Sequence, residues 1–236
     1  MLILGLNKTT LLDYPGHVAA TIFTGGCNFR CPYCHNRDIV LKNASLVPLT
    51  TDEIFSFLKK RRSVLTGVCI TGGEPTLYPD LPDLIRQIKE LGYLVKLDSN
   101  GTNPQMLQNL IHTGLIDYCA MDIKNAPEKY GTTVGYDNSH AKFDLTAIDE
   151  SVHILIQQKM IPYEFRTTIV RELHDETDLL AISRWIAGAD AYFLQSYTDS
   201  DGVLCDGYHA HSEETLQKYV TLCRPSIPNT VLRGVL

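Results

Sequence analysis

The 236-residue sequence has no apolar run long enough to cross a bilayer, and no basic leader precedes its short apolar start. It also has no excess of basic residues, because 21 Lys and Arg stand against 27 Asp and Glu, for a formal net charge of −6. Such a chain has no overall electrostatic reason to bind nucleic acid or an anionic membrane. These absences make the cytoplasm the expected location, with neither nucleic acid nor membrane as a partner.

The sequence also lacks the evenly paired cysteines of a disulfide framework. Of its seven cysteines, three cluster at Cys27, Cys31 and Cys34, while Cys69, Cys119, Cys205 and Cys223 are scattered. Clustered cysteines in a chain without a secretory signal more often bind a metal than form disulfides. The group of Cys205, His209, His211 and Cys223 matches no metal-site spacing, so we interpret it as loop histidines and core thiols.

Short β-rich runs alternate with amphipathic helical patterns along the chain, which predicts a parallel sheet with crossover helices. Distinctive polar residues and glycines follow successive strands, as expected where carboxyl-end loops meet at one face. We therefore favour a partial (β/α)6 TIM-like barrel over an open sheet, in a single domain over 1–236 with its core at about 17–197 and an extension at 198–236. The predicted strands are 18–24, 68–71, 93–98, 118–123, 163–170 and 191–197, with helices at 51–61, 81–91, 104–112, 146–158 and 176–187. The extension is predicted to contain a helix at 213–222 and a strand at 230–233, and 126–144 is predicted to be a long loop.

The clustered cysteines have the spacing C-x3-C-x2-C on a loop after the first of these strands. Soft thiolates select iron–sulfur clusters, zinc or Cu(I). A structural zinc site has four protein ligands, and here the fourth would be His35 or a distant cysteine. Three ligands on a four-iron cluster would leave one iron open to a substrate.

This spacing resembles the signature of the radical S-adenosylmethionine (SAM) superfamily. The resemblance implies that Cys27, Cys31 and Cys34 hold a [4Fe–4S] cluster, that SAM binds the fourth iron, and that catalysis goes through the cluster. It also implies that Tyr33 packs near the adenine, and that Gly72, Gly73 and Glu74 bind the amino group of SAM.

Further segments resemble glycyl-radical-enzyme activases. The Leu97–Gly101 segment contains Asp98, Ser99 and Asn100, and the Met121–Lys124 segment contains Asp122 and Lys124. The resemblance places these residues at the SAM pocket, with Asp98 and Asp122 near the sulfonium and able to bind a monovalent cation. It adds Arg166 and Gln195 as SAM contacts. Gln195 departs from the histidine that pyruvate formate-lyase activases carry near this position.

Together with Leu11–Gly16 and Cys34-His35-Asn36, these segments most resemble the anaerobic ribonucleoside-triphosphate reductase activating proteins. That family's activity implies a flavodoxin or ferredoxin donor, reductive SAM cleavage and a glycyl radical on the partner reductase. Two alternatives stay open. One is a radical SAM enzyme acting on pyruvate formate-lyase or on a small molecule, and the other is a non-enzymatic metal-binding or electron-transfer module.

Overall fold

A computed structural model describes residues 1–137, 139 and 141–234. Its strands are β1 Ile3–Thr10, β2 Ala19–Thr24, β3 Gly67–Gly72, β4 Leu94–Ser99, β5 Tyr118–Asp122, β6 Tyr163–Ile169, β7 Tyr192–Ser196 and β8 Thr230–Arg233. Its helices are α1 Arg37–Val40, α2 Thr51–Arg61, α3 Leu81–Glu90, α4 Pro104–His112, α5 Tyr130–Thr133, α6 Thr146–Gln158, α7 Glu176–Trp185 and α8 Glu213–Cys223, with a 3₁₀ turn at Pro75–Leu77. Among the described residues, no helix has the length and apolar character that a membrane span requires.

The strands form an eight-stranded sheet in their sequence order, β1 to β8. The first strand pairs with β2 antiparallel, whereas the pairs β2–β3, β3–β4, β6–β7 and β7–β8 are parallel. Parallel neighbours joined by helices are the expected result of alternating strand and helix patterns. The order of elements agrees with the α/β class and the partial barrel expected from the sequence.

The chain divides into two compact units. The first comprises Met1–Asn28, Asp38–Ala120 and Met160–Pro162, and the second comprises Phe29–Arg37, Met121–Lys159 and the described residues from Tyr163 onward. In the first unit the sheet buries Ile22, Ile70 and Leu97, and the helices bury Ile54 and Ile85. In the second, Phe165, Tyr192, Leu155, Ile182 and Leu216 are buried. This grouping does not test the predicted single domain over 1–236, which stays a prediction.

Capping explains why two helices begin where the sequence predicts. The Thr50 side chain accepts from the Glu53 N–H, and the Glu53 carboxylate accepts in return from the Thr50 N–H at the start of α2. Asp175 and Asp178 form the equivalent reciprocal pair at the start of α7. Such a box satisfies backbone donors that the first helical turn leaves unpaired.

The structure differs from the sequence-based prediction in three places. The apolar start of the chain is a strand, β1, which the sequence analysis does not predict. The predicted loop at 126–144 contains the short helix α5, and α1 follows the cysteine loop. Both helices have only four residues, too short for a periodic pattern to show. Asn138 and His140, within that predicted loop, lie outside the described residues, as do Val235 and Leu236.

Candidate active site

In the first unit, the loop after β3 is locked against the end of β2. The Gly73 N–H donates to the Thr24 carbonyl at 2.8 Å, and the Glu74 N–H donates to the Gly26 carbonyl at 2.9 Å. A Cβ on Gly73 would lie 1.8 Å from the Gly26 oxygen, and Gly72 has a φ of +113°. Only glycine suits both positions. The glycine motif therefore brings this loop to the start of the cysteine loop.

Glu74 lies in the interior of the first unit, where it is only 1% exposed. Its carboxylate accepts from the Thr76 N–H (3.1 Å) and hydroxyl (2.5 Å), from the Ser99 hydroxyl (2.9 Å) and from the Asn100 N–H (2.6 Å). Burial raises the pKa of Glu74, and these hydrogen bonds oppose the rise. Glu74 thus ties the loop after β3 to the loop after β4, and a direct contact with SAM stays a prediction.

Asn100 extends this network to the first cysteine. Its side-chain amide donates to the Asn28 side-chain oxygen at 2.8 Å and lies 3.8 Å from the Cys27 sulfur. The Asn28 amide in turn donates to the Thr102 hydroxyl at 2.9 Å. The first unit therefore brings together Cys27, Glu74, Ser99 and Asn100, which the sequence placed on three separate loops.

Asp98 has a partner that the sequence analysis did not single out. The buried Lys96 ammonium contacts its carboxylate, and the Cys69 thiol lies 3.7 Å from the same carboxylate oxygen. A lysine among the apolar residues Leu94, Val95 and Leu97 of β4 is the signal that could have found this contact, because a buried charge needs an opposite charge nearby.

In the second unit, Cys31 and Cys34 stand on a turn that the C-terminal extension supports. The Cys34 N–H donates to the Cys31 carbonyl at 3.0 Å. The Leu204 N–H donates to the Cys34 carbonyl at 3.0 Å, and the Cys205 N–H donates to the Pro32 carbonyl at 2.8 Å. Cys205 therefore acts here through its backbone, which agrees with interpreting it as a loop residue.

His35, the candidate fourth ligand of the zinc alternative, has other contacts. Its Nε2 lies 2.5 Å from the Thr198 carbonyl oxygen, and its ring stacks on Tyr197 with centroids 5.4 Å apart. One ring nitrogen of His35 is thus engaged with a backbone carbonyl. Within the described part of the chain, no group of three or more His, Cys, Asp or Glu side chains is arranged for a single metal ion.

Tyr33 lies between the two cysteines of this unit and is 3% exposed. Its hydroxyl has no hydrogen-bond partner among the residues that the structure describes. Burial and the nearby Cys31 thiol raise the pKa of Tyr33 well above its usual value, while Lys124 opposes the rise. A buried hydroxyl without a partner is costly, so a ligand that bonds to it would be favoured.

A compact charged group follows β5. Asp122 accepts from the Arg166 Nε at 3.0 Å and from the Lys124 ammonium at 2.9 Å. Burial raises the pKa of Asp122, but the two cations outweigh it and lower that pKa to about 2. Burial lowers the pKa of Lys124, but Asp122 and neighbouring groups raise it well above its usual value. A largely buried arginine needs an opposite charge nearby, and Asp122 supplies one to Arg166.

Gln195 and His174 also lie in the second unit. Gln195 pairs in register with Thr168 and Arg233 but makes no side-chain hydrogen bond within the described residues, so its predicted role stays a prediction. His174, missed by the sequence analysis, is buried and accepts from the Val170 N–H at 3.1 Å through Nδ1. Its Nε2 lies 2.9 Å from the Lys124 carbonyl oxygen. This bond fixes the loop after β5.

Comparison with known proteins identifies the class. The family model described as "Radical SAM superfamily" matches residues 21–177. The chain belongs to the radical SAM superfamily.

Two relatives carry names that describe a narrower class of enzyme within this superfamily. A Methanocaldococcus jannaschii protein named "putative glycyl-radical enzyme activating enzyme" is 34% identical over 203 residues, covering 85% of this chain and 81% of that protein. The pyruvate formate-lyase-activating enzyme of Clostridium pasteurianum is 32% identical over 129 residues, covering 52% of each.

The fold is shared with a solved structure. The crystal structure of Streptococcus suis SuiB has a TM-score of 0.68 at 14% identity and covers 91% of this chain. This chain spans 48% of SuiB, and at 14% identity the likeness concerns the fold alone. A further SuiB structure, bound to S-adenosylmethionine, also has a TM-score of 0.68, at 13% identity, and covers 89% of this chain and 49% of SuiB. The α/β class expected from the sequence is confirmed.

Membership of this superfamily implies a [4Fe–4S] cluster and SAM, and the residues present fit both. Cys27, Cys31 and Cys34 supply soft thiol donors within one short segment, the ligand type that iron–sulfur clusters require. The buried Tyr33 hydroxyl lacks a partner among the described residues, as expected for a group that meets a ligand.

Proposed function

We propose that this chain is an activating enzyme that generates a glycyl radical on a partner enzyme. The superfamily match together with a relative of that name over most of the chain carries the proposal. The partner we propose is an anaerobic ribonucleoside-triphosphate reductase, with reduced flavodoxin or ferredoxin as the electron donor. Because all seven cysteines are free thiols, which persist in a reducing compartment, we also propose a cytoplasmic location.

Cys27, Cys31 and Cys34 would hold the cluster, which when bound supplies the electron that cleaves SAM and leads to hydrogen abstraction from a glycine. The chain's own residues position the cluster-binding loop and shield it from solvent. Glu74 and Asn100 hold the loops after β3 and β4 around Cys27. Tyr33 offers a buried hydroxyl.

The remaining residues that we propose as SAM contacts are named here for each unit by itself. They are Gly72, Gly73, Asp98 and Ser99 in the first unit and Asp122, Lys124, Arg166 and Gln195 in the second. A monovalent cation at Asp98 and Asp122 stays a prediction.

An anaerobic reconstitution tests the proposal. The reduced cluster should give an EPR signal that changes when SAM is added. With the purified reductase present, deoxyadenosine should form and a glycyl-radical doublet should appear, and both should be lost when the reductase's radical glycine is changed to alanine. Turnover of a small molecule without any protein partner would refute the proposal. The same assay with pyruvate formate-lyase tests the alternative partner.

A matched pair of cysteine variants tests the ligand assignment. Cys31→Ser should lose cluster iron, whereas Cys205→Ser, at an exposed cysteine of the same unit, should retain it. Equal iron and sulfide contents in the two variants would contradict the assignment.

A further inference from the structure

Lys96 places its ammonium group in the interior of the first unit. Its side chain is 2% exposed, and its Nζ contacts the Asp98 carboxylate and lies 3.8 Å from the Cys69 sulfur. The Cys69 sulfur also lies 3.7 Å from the Asp98 carboxylate oxygen. These three polar side chains therefore contact one another, and we call them the Lys96 group.

Strand geometry places the Lys96 group on one face of neighbouring strands, with Asp98 near the carboxyl end of β4. Lys96 and Asp98 are two residues apart on β4, so their side chains share a face, and Lys96 is in register with Cys69 on β3. Thr21 on β2 is in register with Cys69. Polar residues thus cross three neighbouring strands. Asp98 joins this group through the backbone to Ser99, the next residue of β4, whose hydroxyl bonds to Glu74.

The contacts of the two predicted cation ligands do not fit a separate metal ion. In the first unit, Lys96 already contacts the Asp98 carboxylate. In the second unit, Arg166 contacts one oxygen of Asp122 and Lys124 the other. Each carboxylate thus has a protein cation as its counter-ion. A buried carboxylate with such a partner no longer needs a diffusible cation for charge compensation.

We propose that Lys96 is a positioning residue whose ammonium serves as the built-in monovalent cation of Asp98. It holds the carboxylate ionised and oriented at the carboxyl end of β4, so that SAM binding requires neither Na⁺ nor K⁺. This inference rests on the proposed function, because it assigns a role to Asp98 at the SAM site. The lysine thus provides a positive charge that is fixed to the strand, in place of a metal ion that could exchange with the solvent.

The test compares three proteins with an assembled cluster in KCl, NaCl and tetramethylammonium chloride at equal ionic strength. They are the wild type, Lys96→Ser, and Lys89→Ser as the matched control. The control removes a lysine from an ion pair of the same unit, in which Lys89 lies 2.6 Å from Asp117. SAM affinity is measured from the change in the EPR signal of the reduced cluster.

The wild type and Lys89→Ser should bind SAM equally well in all three salts. Lys96→Ser should lose about tenfold in affinity in tetramethylammonium, equivalent to one broken ionic contact, and regain most of it in K⁺ or Na⁺. Tetramethylammonium is too large to enter the space that the lysine leaves, whereas a small metal ion can occupy it. A wild type that needs Na⁺ or K⁺, or a Lys96→Ser variant that matches the control in every salt, would overturn the inference.

A second measurement needs no SAM. Thermal unfolding of the cluster-free proteins should show that K⁺ stabilises Lys96→Ser relative to tetramethylammonium but leaves the other two proteins unchanged. If Lys96→Ser does not fold, Lys96→Ser/Asp98→Asn, which removes both charges, should restore folding, and its failure to do so would contradict the role as a counter-ion. If the wild type binds no SAM in any salt, the proposed function fails, while the unfolding experiment still decides the role of Lys96.

Discussion

The exchange of Glu74 for glutamine is the sharpest perturbation of the candidate site, because it changes one atom's chemistry and almost no volume. In the wild type both carboxylate oxygens accept hydrogen bonds, one from Thr76 and Ser99 and the other from the Asn100 N–H at 2.6 Å. A glutamine has one accepting oxygen and one donating NH₂ group. Whichever way the amide is turned, a donor faces another donor.

The expected cost follows from these contacts. With the amide nitrogen toward Asn100, one backbone N–H loses its acceptor in a site that is 1% exposed. Such a loss costs about 1–3 kcal/mol, and hydrogen bonds to a charged acceptor lie at the upper end of that range. Relief of the burial that raises the pKa of Glu74 acts in the other direction. We therefore expect a net destabilisation of about 2 kcal/mol.

The assay is urea unfolding of the cluster-free protein, with Glu53→Gln as the matched control. Glu53 lies in the same unit and accepts from the Thr50 N–H in a capping box that glutamine can also complete. The control should therefore unfold close to the wild type. Glu74→Gln should unfold at lower urea with an unchanged dependence on urea concentration. Equal midpoints for the two variants would refute the assignment of Glu74 as the group that joins the loops.

Four further substitutions test the site. Gly73→Ala should destabilise strongly or misfold because its Cβ would lie 1.8 Å from the Gly26 oxygen, and a normal melting temperature would contradict that close approach. Tyr33→Phe should leave the apoprotein as stable as the wild type, since the lost hydroxyl lacks a partner among the described residues, yet weaken SAM binding in an EPR titration. Asp122→Asn should remove about 2 kcal/mol of stability that the wild type has above pH 3.8 and loses as the pH falls toward 2, so acid unfolding should show a flatter profile. Burial lowers the pKa of His174, so the wild type should lose stability as the pH falls below 6.5; His174→Gln should remove that slope, and an unchanged slope would count against the buried neutral imidazole.

The sequence predicted most helices and strands well because local signals act at their ends. Thr146–Gln158 and Pro104–His112 were predicted with the observed bounds, and Pro104 at a first helical position is one such signal. The strand β1 was missed because its antiparallel pairing with β2 depends on long-range contacts rather than on a local pattern. Propensity says little about such pairings.

The candidate site was predicted as a set of loops but not as a set of bonds. Residues after strands could be assigned to one end of the sheet from topology alone. Topology could not show that Glu74 accepts a hydrogen bond from Asn100 rather than pointing away from it. That choice depends on which donors burial leaves without a partner. Lys96 and His174 carry no motif, and only the structure shows which groups they contact.

Each unit contains a buried titratable residue that holds a loop of the candidate site. Glu74 binds the Asn100 N–H in the first unit, and His174 binds the Lys124 carbonyl in the second. Burying such groups costs free energy of desolvation, and an apolar residue would stabilise the core without that cost. An apolar residue, however, cannot select one backbone position through a hydrogen bond. We therefore infer that both residues serve loop placement: their glutamine variants should weaken SAM binding by more than stability-matched variants of the same unit's apolar core.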